Sequence, residues 1–315
     1  MIKDKFKRNF ETDINMKTAV VLVTYNRLKC LKIAISKYEE QSFLPNIIIV
    51  VDNASTDGTY EYLDEWKNEE SLISKHVIHN NVNTGGAGGF YTGLKYSMQF
   101  DYDFVFLADD DAFVENDTFR SLFSCNKIFT QDVVAACTSV INNGKLEISH
   151  RCRLKNKFFV PSLSWVPEWE YKKDIFYLDI VTFVGAAIKK STIDKIGFPI
   201  KDYFIYYDDT EYFMRISKLG KVVCVPNSRI IHNTDGKLSI NSWKGYYDTR
   251  NWLDAIYRHY NKFSFICSSV YAYLRRCSIL SKLLRSRSSE FNAMCKIAIK
   301  DAINHKLGIN EKYHP

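Results

Sequence analysis

Three aspartates in a row, Asp109, Asp110 and Asp111, follow directly on the apolar run FVFLA at 104–108. Adjacent carboxylates repel one another, and at the end of a buried strand a cation would neutralise them. Carboxylate oxygens suit hard ions such as Mg²⁺ or Mn²⁺, which in turn clamp phosphate oxygens; a solvated charged turn is the other reading. A second acidic cluster lies in YYDDTEYFMRI, where Asp208, Asp209 and Glu211 head a helix whose Phe213, Met214 and Ile216 turn inward. Helix capping accounts for acids at such a start. The neighbouring Tyr203, Phe204, Tyr206 and Tyr207 would also desolvate a carboxylate and raise its pKa towards that of a base able to deprotonate a hydroxyl. His232, in RIIHN, is a core or hydrogen-bonding histidine or a ligand, and only the fold can bring it to Asp109 and Asp111. The segment Asn83 to Phe90, NTGGAGGF, matches neither the dinucleotide fingerprint nor the P-loop. Its four glycines let backbone approach a ligand and present N–H groups to it.

These residues need strand ends to hold them. TAVVLVTYN and IIIVVDN flank a helix-length segment with Leu28, Leu31, Ile35 and Tyr38 at three-to-four spacing, which predicts a βαβ unit with strands covered on both faces. A helix carrying Tyr60, Leu63 and Trp66, a strand at 75–79, a helix over 91–100 and a strand at 104–108 continue the alternation. The pattern predicts an α/β fold, a doubly wound and mostly parallel sheet whose ligand site lies beyond the strands' carboxyl ends. Beyond Asp111 it predicts a helix over 116–128, a strand at 133–140, an aromatic loop over 158–177, a strand at 180–189 with a Gly185-Ala186-Ala187 step, helices over 191–196 and 209–219, and KVVCVP and RIIHN as separate extended pieces. A helical C-terminal extension starts near 240. There Phe263, Ile266, Val270, Tyr273, Cys277, Leu280 and Leu284 form an apolar stripe between basic residues, fit to pack on the domain, pair with a subunit or lie on an anionic membrane.

With 315 residues, 46% hydrophobic, 25% charged, 13 Gly and 6 Pro, the chain is neither disordered nor collagenous nor of low complexity. Its eight cysteines contain no Cys-x-x-Cys pair, which points to a reducing, cytoplasmic setting rather than to bridges or a zinc cage. Residues 1–17 lack the apolar block of a secretory signal, and the uncharged run 263–274 is about half the ~20 residues a membrane span needs. The net charge is +7, and residues 261–300 alone hold eight basic side chains against Glu290. Charge so localised argues against a nucleic-acid binder. It reads as a patch facing an anionic partner or as an ordinary solvated helix face.

VVLVTYNR, VVDNASTDGT, NTGGAGGF, LADDDA, YDDTEYFMR and the later histidine, in that order between about 18 and 255, resemble the family 2 glycosyltransferases with the GT-A fold. The glycine-rich segment, the aspartate triplet and the pattern Tyr246-Tyr247-x-x-Arg250-Asn251 most resemble the branch of bacterial galactofuranosyl and rhamnosyl transferases. The resemblance implies a nucleotide-diphospho-sugar transferase fold over 18–239, with a donor half at 18–115 and an acceptor half at 116–239. Residues 1–17 become an N-terminal extension and 240–315 a helical, basic region. It further implies that Thr24, Tyr25, Arg27, Asp52, Asn83, Gly86, Asp109 and Asp110 contact the nucleotide sugar, and that Asp109, Asp111 and His232 hold Mn²⁺ or Mg²⁺. Asp209 becomes the base, beside Asp208, and Glu211 holds position or meets the acceptor.

The implied reaction is metal-dependent, inverting transfer of a sugar to a hydroxyl of a growing, lipid-carried surface polysaccharide. UDP-galactofuranose is the first donor reading and dTDP-rhamnose the second. Trp165 and Trp169 are either an acceptor wall or core. The basic 261–300 segment would then hold the enzyme peripherally on the inner membrane face, and homo-oligomer formation stays open. A sugar nucleotidyltransferase is disfavoured because TYNRLKC has no glycine. A non-catalytic nucleotide-sugar-binding scaffold remains the alternative of another class.

Overall fold

The computed structural model describes residues 16–155, 159–232, 242–277 and 288–314. Most of the expected N-terminal extension lies outside the described residues. So do Leu280, Leu284 and the basic Lys282, Arg285 and Arg287 of the C-terminal stripe and patch.

The first half runs β1 (Thr18–Thr24), α1 (Leu28–Glu39), β2 (Ile47–Asp52), α2 (Thr59–Trp66), β3 (Ser74–His79), α3 (Gly85–Ser97) and β4 (Phe104–Asp109). Every residue of β1 and β2 is buried, as uninterrupted β-branched runs require when both sheet faces are covered. The four strands are parallel in the order β3-β2-β1-β4. Their register sets Thr24 beside Asp52 and Val23 beside Asp109, so the strand ends carrying the candidate residues form one edge.

The second half comprises β5 (Ala112–Val114), α4 (Thr118–Phe123), β6 (Val133–Asn142), β7 (Lys145–Leu146), β8 (Arg151–Lys155), β9 (Ser162–Trp165), β10 (Phe176–Leu178), β11 (Ile180–Val181), β12 (Ala186–Lys189), α5 (Lys190–Ile196), α6 (Asp208–Ile216) and β13 (Lys221–His232). It extends the sheet to β10-β13-β6-β12-β4-β1-β2-β3. β12 runs antiparallel to β4 and β6, and β13 parallel to β6. A separate small sheet, β11-β8-β9, covers one side. Two apolar cores, one on each face of the main sheet, are built from alternate residues of the same strands, Val21 and Ile49 on one and Val20 and Ile48 on the other.

Several elements differ from the sequence expectation. The helix expected over 116–128 ends at Phe123 and is followed by a 3₁₀ turn at Asn126–Phe129. The aromatic segment 159–177 is not a plain loop but carries β9 and a 3₁₀ turn at Glu168–Lys172. The strand expected over 180–189 is broken at Gly185, whose φ of +80° leaves the β region. KVVCVP and the RIIH of the second piece are one strand, β13, with a register shift between Val225 and Arg229 that lets the chain bend without stopping; Asn233 lies outside the described residues. β13 then pairs with β5, His232 opposite Ala112, which delivers the histidine to the triplet.

The glycine-rich segment departs furthest. It is the start of α3, which begins at Gly85 rather than near 91. A Cβ on Gly89 would stand 2.4 Å from Val23 Cγ1, and one on Gly93 2.4 Å from Val21 Cγ1. These glycines therefore bring α3 tight against β1, and close packing rather than a flexible loop explains them.

The C-terminal helices α7 (Lys244–His259), α8 (Lys262–Arg276) and α9 (Ser289–Ile303) share a third core, with Tyr246, Tyr247, Leu253, Ala272 and Met294 around Phe204. α8 buries its small residues, Ser264, Ser268 and Ala272. The apolar stripe read from the sequence lies on the opposite side, with Ile266, Val270 and Tyr273 exposed.

Gly93→Val should overpack the contact between α3 and β1 and lower stability by about 1–3 kcal/mol, read as a reduced urea midpoint with an unchanged m-value.

Candidate active site

The aspartate triplet sits where β4 ends, and its three carboxylates take different surroundings. Asp110 is buried; it accepts the Thr24 hydroxyl at 2.7 Å and an Arg27 N–H at 3.2 Å. Arg27 also donates to Asp111 at 2.5 Å. Thr24 is itself buried, so this pair ties the triplet to the end of β1, while Tyr25 beside it is 38% exposed at the mouth. Burial pushes the Asp110 carboxyl up to about 6 against the pull of Thr24 and Arg27. Asp109 is pushed up to about 7, chiefly by burial and then by the charges of Asp111 and Asp110. Burial also disfavours the charged form of Asp111, but His232 and Arg27 outweigh it and hold that carboxyl below its usual range.

His232 Nε2 stands 3.5 Å from Asp111 Oδ1, an ion pair too long to be a good hydrogen bond. Burial opposes the imidazolium, yet Asp111 and Asp109 keep the histidine above its ordinary value. Asp111 Oδ1 and His232 Nδ1 are buried with no hydrogen-bond partner. Orphaned buried acceptors are costly. The Asp111 carboxylate and the His232 imidazole in this state suit a divalent cation, while Asp109 does not bring a ligand atom within 4.8 Å of both.

The acidic helix arrives from the opposite side. Asp208 and Asp209 start α6, and the charge of Asp109 is near enough to add to the burial and to the Asp209 charge that push Asp208 well above its ordinary value. Burial likewise raises Asp209. Its Oδ1 accepts the N–H and the hydroxyl of Thr210, which leaves Oδ2 to take a proton. Glu211 points elsewhere. It is buried and gripped by Arg215 and by His259 at 3.0 Å, and Arg215 in turn donates to the carbonyls of Ile196 and Phe198. Burial penalises the Glu211 charge, but His259 and Arg215 hold it below the usual range, so this side chain anchors α6 and stays away from the triplet.

What presents Asp208 and Asp209 is a distorted turn. Phe204, Tyr206 and Tyr207 have φ of +66°, +65° and +67°, left-handed conformations that cost non-glycine residues roughly 1 kcal/mol or more each. The Arg250-Asn251 pair of α7 compensates. Asn251 Nδ2 donates to the carbonyls of Tyr203, Ile205 and Tyr206 at 2.9, 3.0 and 2.9 Å, and Arg250 to those of Asp202, Tyr203 and Gly308. Both side chains are fully buried. α3 braces the turn from the other side, with the Ala87 N–H donating to Phe204 O at 3.1 Å. A Cβ on Gly85 would stand 2.0 Å from that oxygen.

Of the remaining residues predicted to meet a nucleotide, Asp52 is buried, accepting the Ser55 N–H at 2.9 Å and facing His79 Nδ1 at 3.0 Å, with the Tyr60 ring tilted against His79 at 4.0 Å between centres. Asn83 Oδ1 accepts the Gly85 N–H. Gly86 faces open space, unlike Gly85, Gly88 and Gly89.

Four further residues were not anticipated. Asn53 joins the β2 end to α3 through Gly85 O, Thr84 and Asn80. Arg151, fully buried, donates to the carbonyls of Thr138, His150 and Val184 and opposes the rise at Asp209. His150 and Glu147 approach His232, with 5.1 Å between the two histidine ring centres. No sequence spacing signals the approach of Glu147 and His150 to His232, because the return of β7 into β8 beside β13 creates it.

The sequence pattern of "Glycosyl transferase family 2" matches residues 19–186. The galactofuranosyltransferase GlfT1 of Mycobacterium tuberculosis is 28% identical over 202 residues, 64% of this chain and 64% of that protein; the chain thus spans less than two thirds of that relative's length. The dTDP-rhamnosyl transferase RfbF of Shigella flexneri is 24% identical over 221 residues, 70% of each chain. Among solved structures, GalNAc-T7 with UDP, GalNAc and Mn²⁺ superposes with a TM-score of 0.61 at 16% identity, over 90% of this chain and 55% of that one, a likeness of fold. The fold is the GT-A type with a helical C-terminal region.

Asn251→Leu removes the side-chain donor of the Ile205 and Tyr206 carbonyls and one of the donors to Tyr203 O, and should destabilise the protein by about 2–3 kcal/mol. Chemical denaturation checks this; an unchanged midpoint would mean that the turn before α6 is held by other means.

Proposed function

The chain belongs to glycosyl transferase family 2, and from that premise we propose that it moves a sugar from a nucleotide diphosphate to an acceptor hydroxyl with inversion at the anomeric carbon. The observation that supports the proposal is a pair of buried carboxylates, Asp208 and Asp209, at the start of α6, with Asp208 near enough to the end of β4 to feel the charge of Asp109. Asp109, Asp111 and His232 would hold Mn²⁺ or Mg²⁺, whose part when bound is to absorb charge on the leaving diphosphate. Asp209 Oδ2 takes the proton of the acceptor hydroxyl as that oxygen bonds to the anomeric carbon. The bond from that carbon to the phosphate oxygen breaks on the opposite face, and its electron pair leaves with the diphosphate. Arg27, now paired with Asp110 and Asp111, supplies a second positive charge at the same place. Asp52, Asn83, Gly86 and Tyr25 are assigned to the nucleotide side of the pocket.

UDP-galactofuranose is the donor we propose, on the likeness to the mycobacterial galactofuranosyltransferase. dTDP-rhamnose is the second reading, on the likeness to the Shigella enzyme. Between α6 and the C-terminal helices a cavity of about 350 Å³ is lined by Tyr207, Met214, Trp252, Tyr260 and Tyr271, with Arg275 and Arg276. Aromatic walls and guanidinium groups suit a glycan acceptor on a lipid diphosphate. Trp165 and Trp169 are 63% and 59% exposed, so neither is core, and neither lines that cavity.

No helix among the described residues is long and apolar enough to cross a membrane. The exposed Ile266, Val270 and Tyr273 of α8, with exposed Lys262 and Arg275 on the same helix, support peripheral attachment to an anionic membrane surface. Arg276 is committed to Asp248 at 2.7 Å.

Three outcomes are expected. Mn²⁺ with UDP should raise the melting temperature more than Mn²⁺ with GDP or CMP; a dTDP preference would favour the rhamnose reading. Asp209→Asn should cut turnover by about 10²–10⁴-fold while keeping that nucleotide stabilisation, whereas a wild-type protein that binds donor without turnover would be the scaffold. Val270→Glu with Ile266→Glu should weaken sedimentation with phosphatidylglycerol vesicles without changing the melting temperature; equal sedimentation would remove α8 from the membrane contact.

A further inference from the structure

Beside the carboxylate pair assigned to the donor's cation lies a second ligand set of different chemistry. Glu147, His150 and His232 each bring one ligand atom within 4.8 Å of the others. Glu147 caps the 3₁₀ turn that ends at His150 and stands three residues before it, whereas His232, the last residue of β13, is brought to that turn only by the fold. Glu147 Oε2 and His232 Nδ1 are buried without a hydrogen-bond partner, as is the adjacent Asp111 Oδ1. His150 is oriented in advance. Its Nδ1 lies 2.8 Å from Thr182 Oγ1, and its carbonyl receives an N–H of Arg151 and that of Thr182. The tautomer that donates Nδ1–H to Thr182 turns the Nε2 lone pair towards Glu147 Oε1, 3.7 Å away. A hydrogen-bonded second nitrogen is the usual support of a metal-ligating imidazole.

We propose that Glu147, His150 and His232 form a second divalent-cation site, selective for a borderline ion such as Zn²⁺ or Co²⁺ and sharing His232 with the Asp109/Asp111 centre. Two imidazoles and one carboxylate make a ligand set that zinc accepts with a fourth position open. Nitrogen ligands favour Co²⁺ and Zn²⁺ over Mg²⁺ and Mn²⁺, which prefer the oxygens of Asp109 and Asp111. Ligands about 2.0–2.1 Å from a tetrahedral ion lie about 3.3 Å apart, and rotation of the Glu147 side chain, 30% exposed, closes the difference. One histidine cannot serve both centres fully, so an ion at the second site withdraws His232 from the first. Zn²⁺ therefore acts as an antagonist of Mn²⁺-dependent nucleotide binding.

The test uses the full chain and Co²⁺ or Zn²⁺ alone, so its result is separate from whether the transfer reaction is correctly assigned. Co²⁺ titrated into metal-free protein should give the intense visible bands of a four-coordinate ion at one equivalent, without the ultraviolet thiolate band that cysteine ligation would add. Glu147→Gln and His150→Gln should each lower Zn²⁺ affinity at least tenfold by competition with a chromophoric chelator. In the same variants the stabilisation by Mn²⁺ with UDP should persist and no longer be reversed by Zn²⁺. Undiminished Zn²⁺ affinity in both variants, or a thiolate-ligated cobalt spectrum, would overturn the second site. If only His150→Gln misfolds, Glu147→Gln decides, because its partly exposed carboxylate is replaced by an amide of equal size.

Discussion

Asp109 and Asp208 lie nearly a hundred residues apart in the chain, yet each carries part of the same electrostatic problem. Five carboxylates, Asp109, Asp110, Asp111, Asp208 and Asp209, converge on one sheet edge where burial has removed the water that would screen them. Charges gathered this closely in a low-dielectric pocket must be compensated, protonated or separated. All three responses are present. Arg27 and His232 compensate Asp111, Thr24 and Arg27 engage Asp110, and the proton affinities of Asp109 and Asp208 rise.

That constraint explains the shape of the surrounding chain. A carboxylate facing Asp109 must be held there against repulsion, and the protein spends backbone strain to do so. The turn from Phe204 to Tyr207 adopts three left-handed residues, and such a turn persists only if its carbonyls have firm partners. α7 supplies them through Arg250 and Asn251, and α3 supplies the Ala87 N–H. The C-terminal helices are thus part of the site's support, and their third core around Phe204 couples their packing to the placement of Asp209. Glu211 contributes from the other end of α6 by fixing it to Arg215 and His259.

The same crowding governs what lies one shell further out. His232 is reached from one side by Asp111 and from the other by His150 and Glu147, so the histidine that neutralises the triplet is also the link to a nitrogen-rich cluster. An aromatic cavity opens between Tyr207 and the C-terminal helices, and α8 turns its small residues inward while its larger apolar residues face out. Small residues are what close helix packing against α7 accepts, so the outward stripe follows from the packing of the inner face.

Much of this was legible along the chain. The buried parallel strands announced themselves as unbroken β-branched runs, and DDD after FVFLA and DDTE before an amphipathic helix marked the acidic clusters because both signals are local. Local patterns also located His232 at a strand end. They misplaced the start of α3, since a helix whose glycines serve close contact with β1 has the composition of a loop. The role of Arg250-Asn251, the binding of Glu211 into a structural ion pair, the interior position of Asp110 and the approach of Glu147 and His150 to His232 had no local signature at all. Each depends on which strand lies beside which and in what register, as when β13 pairs with β5 and sets His232 opposite Ala112. Sequence determines which residues prefer burial, turns or charge; only the tertiary structure decides which charges share a pocket, because interaction energy depends on distance through space and not along the chain.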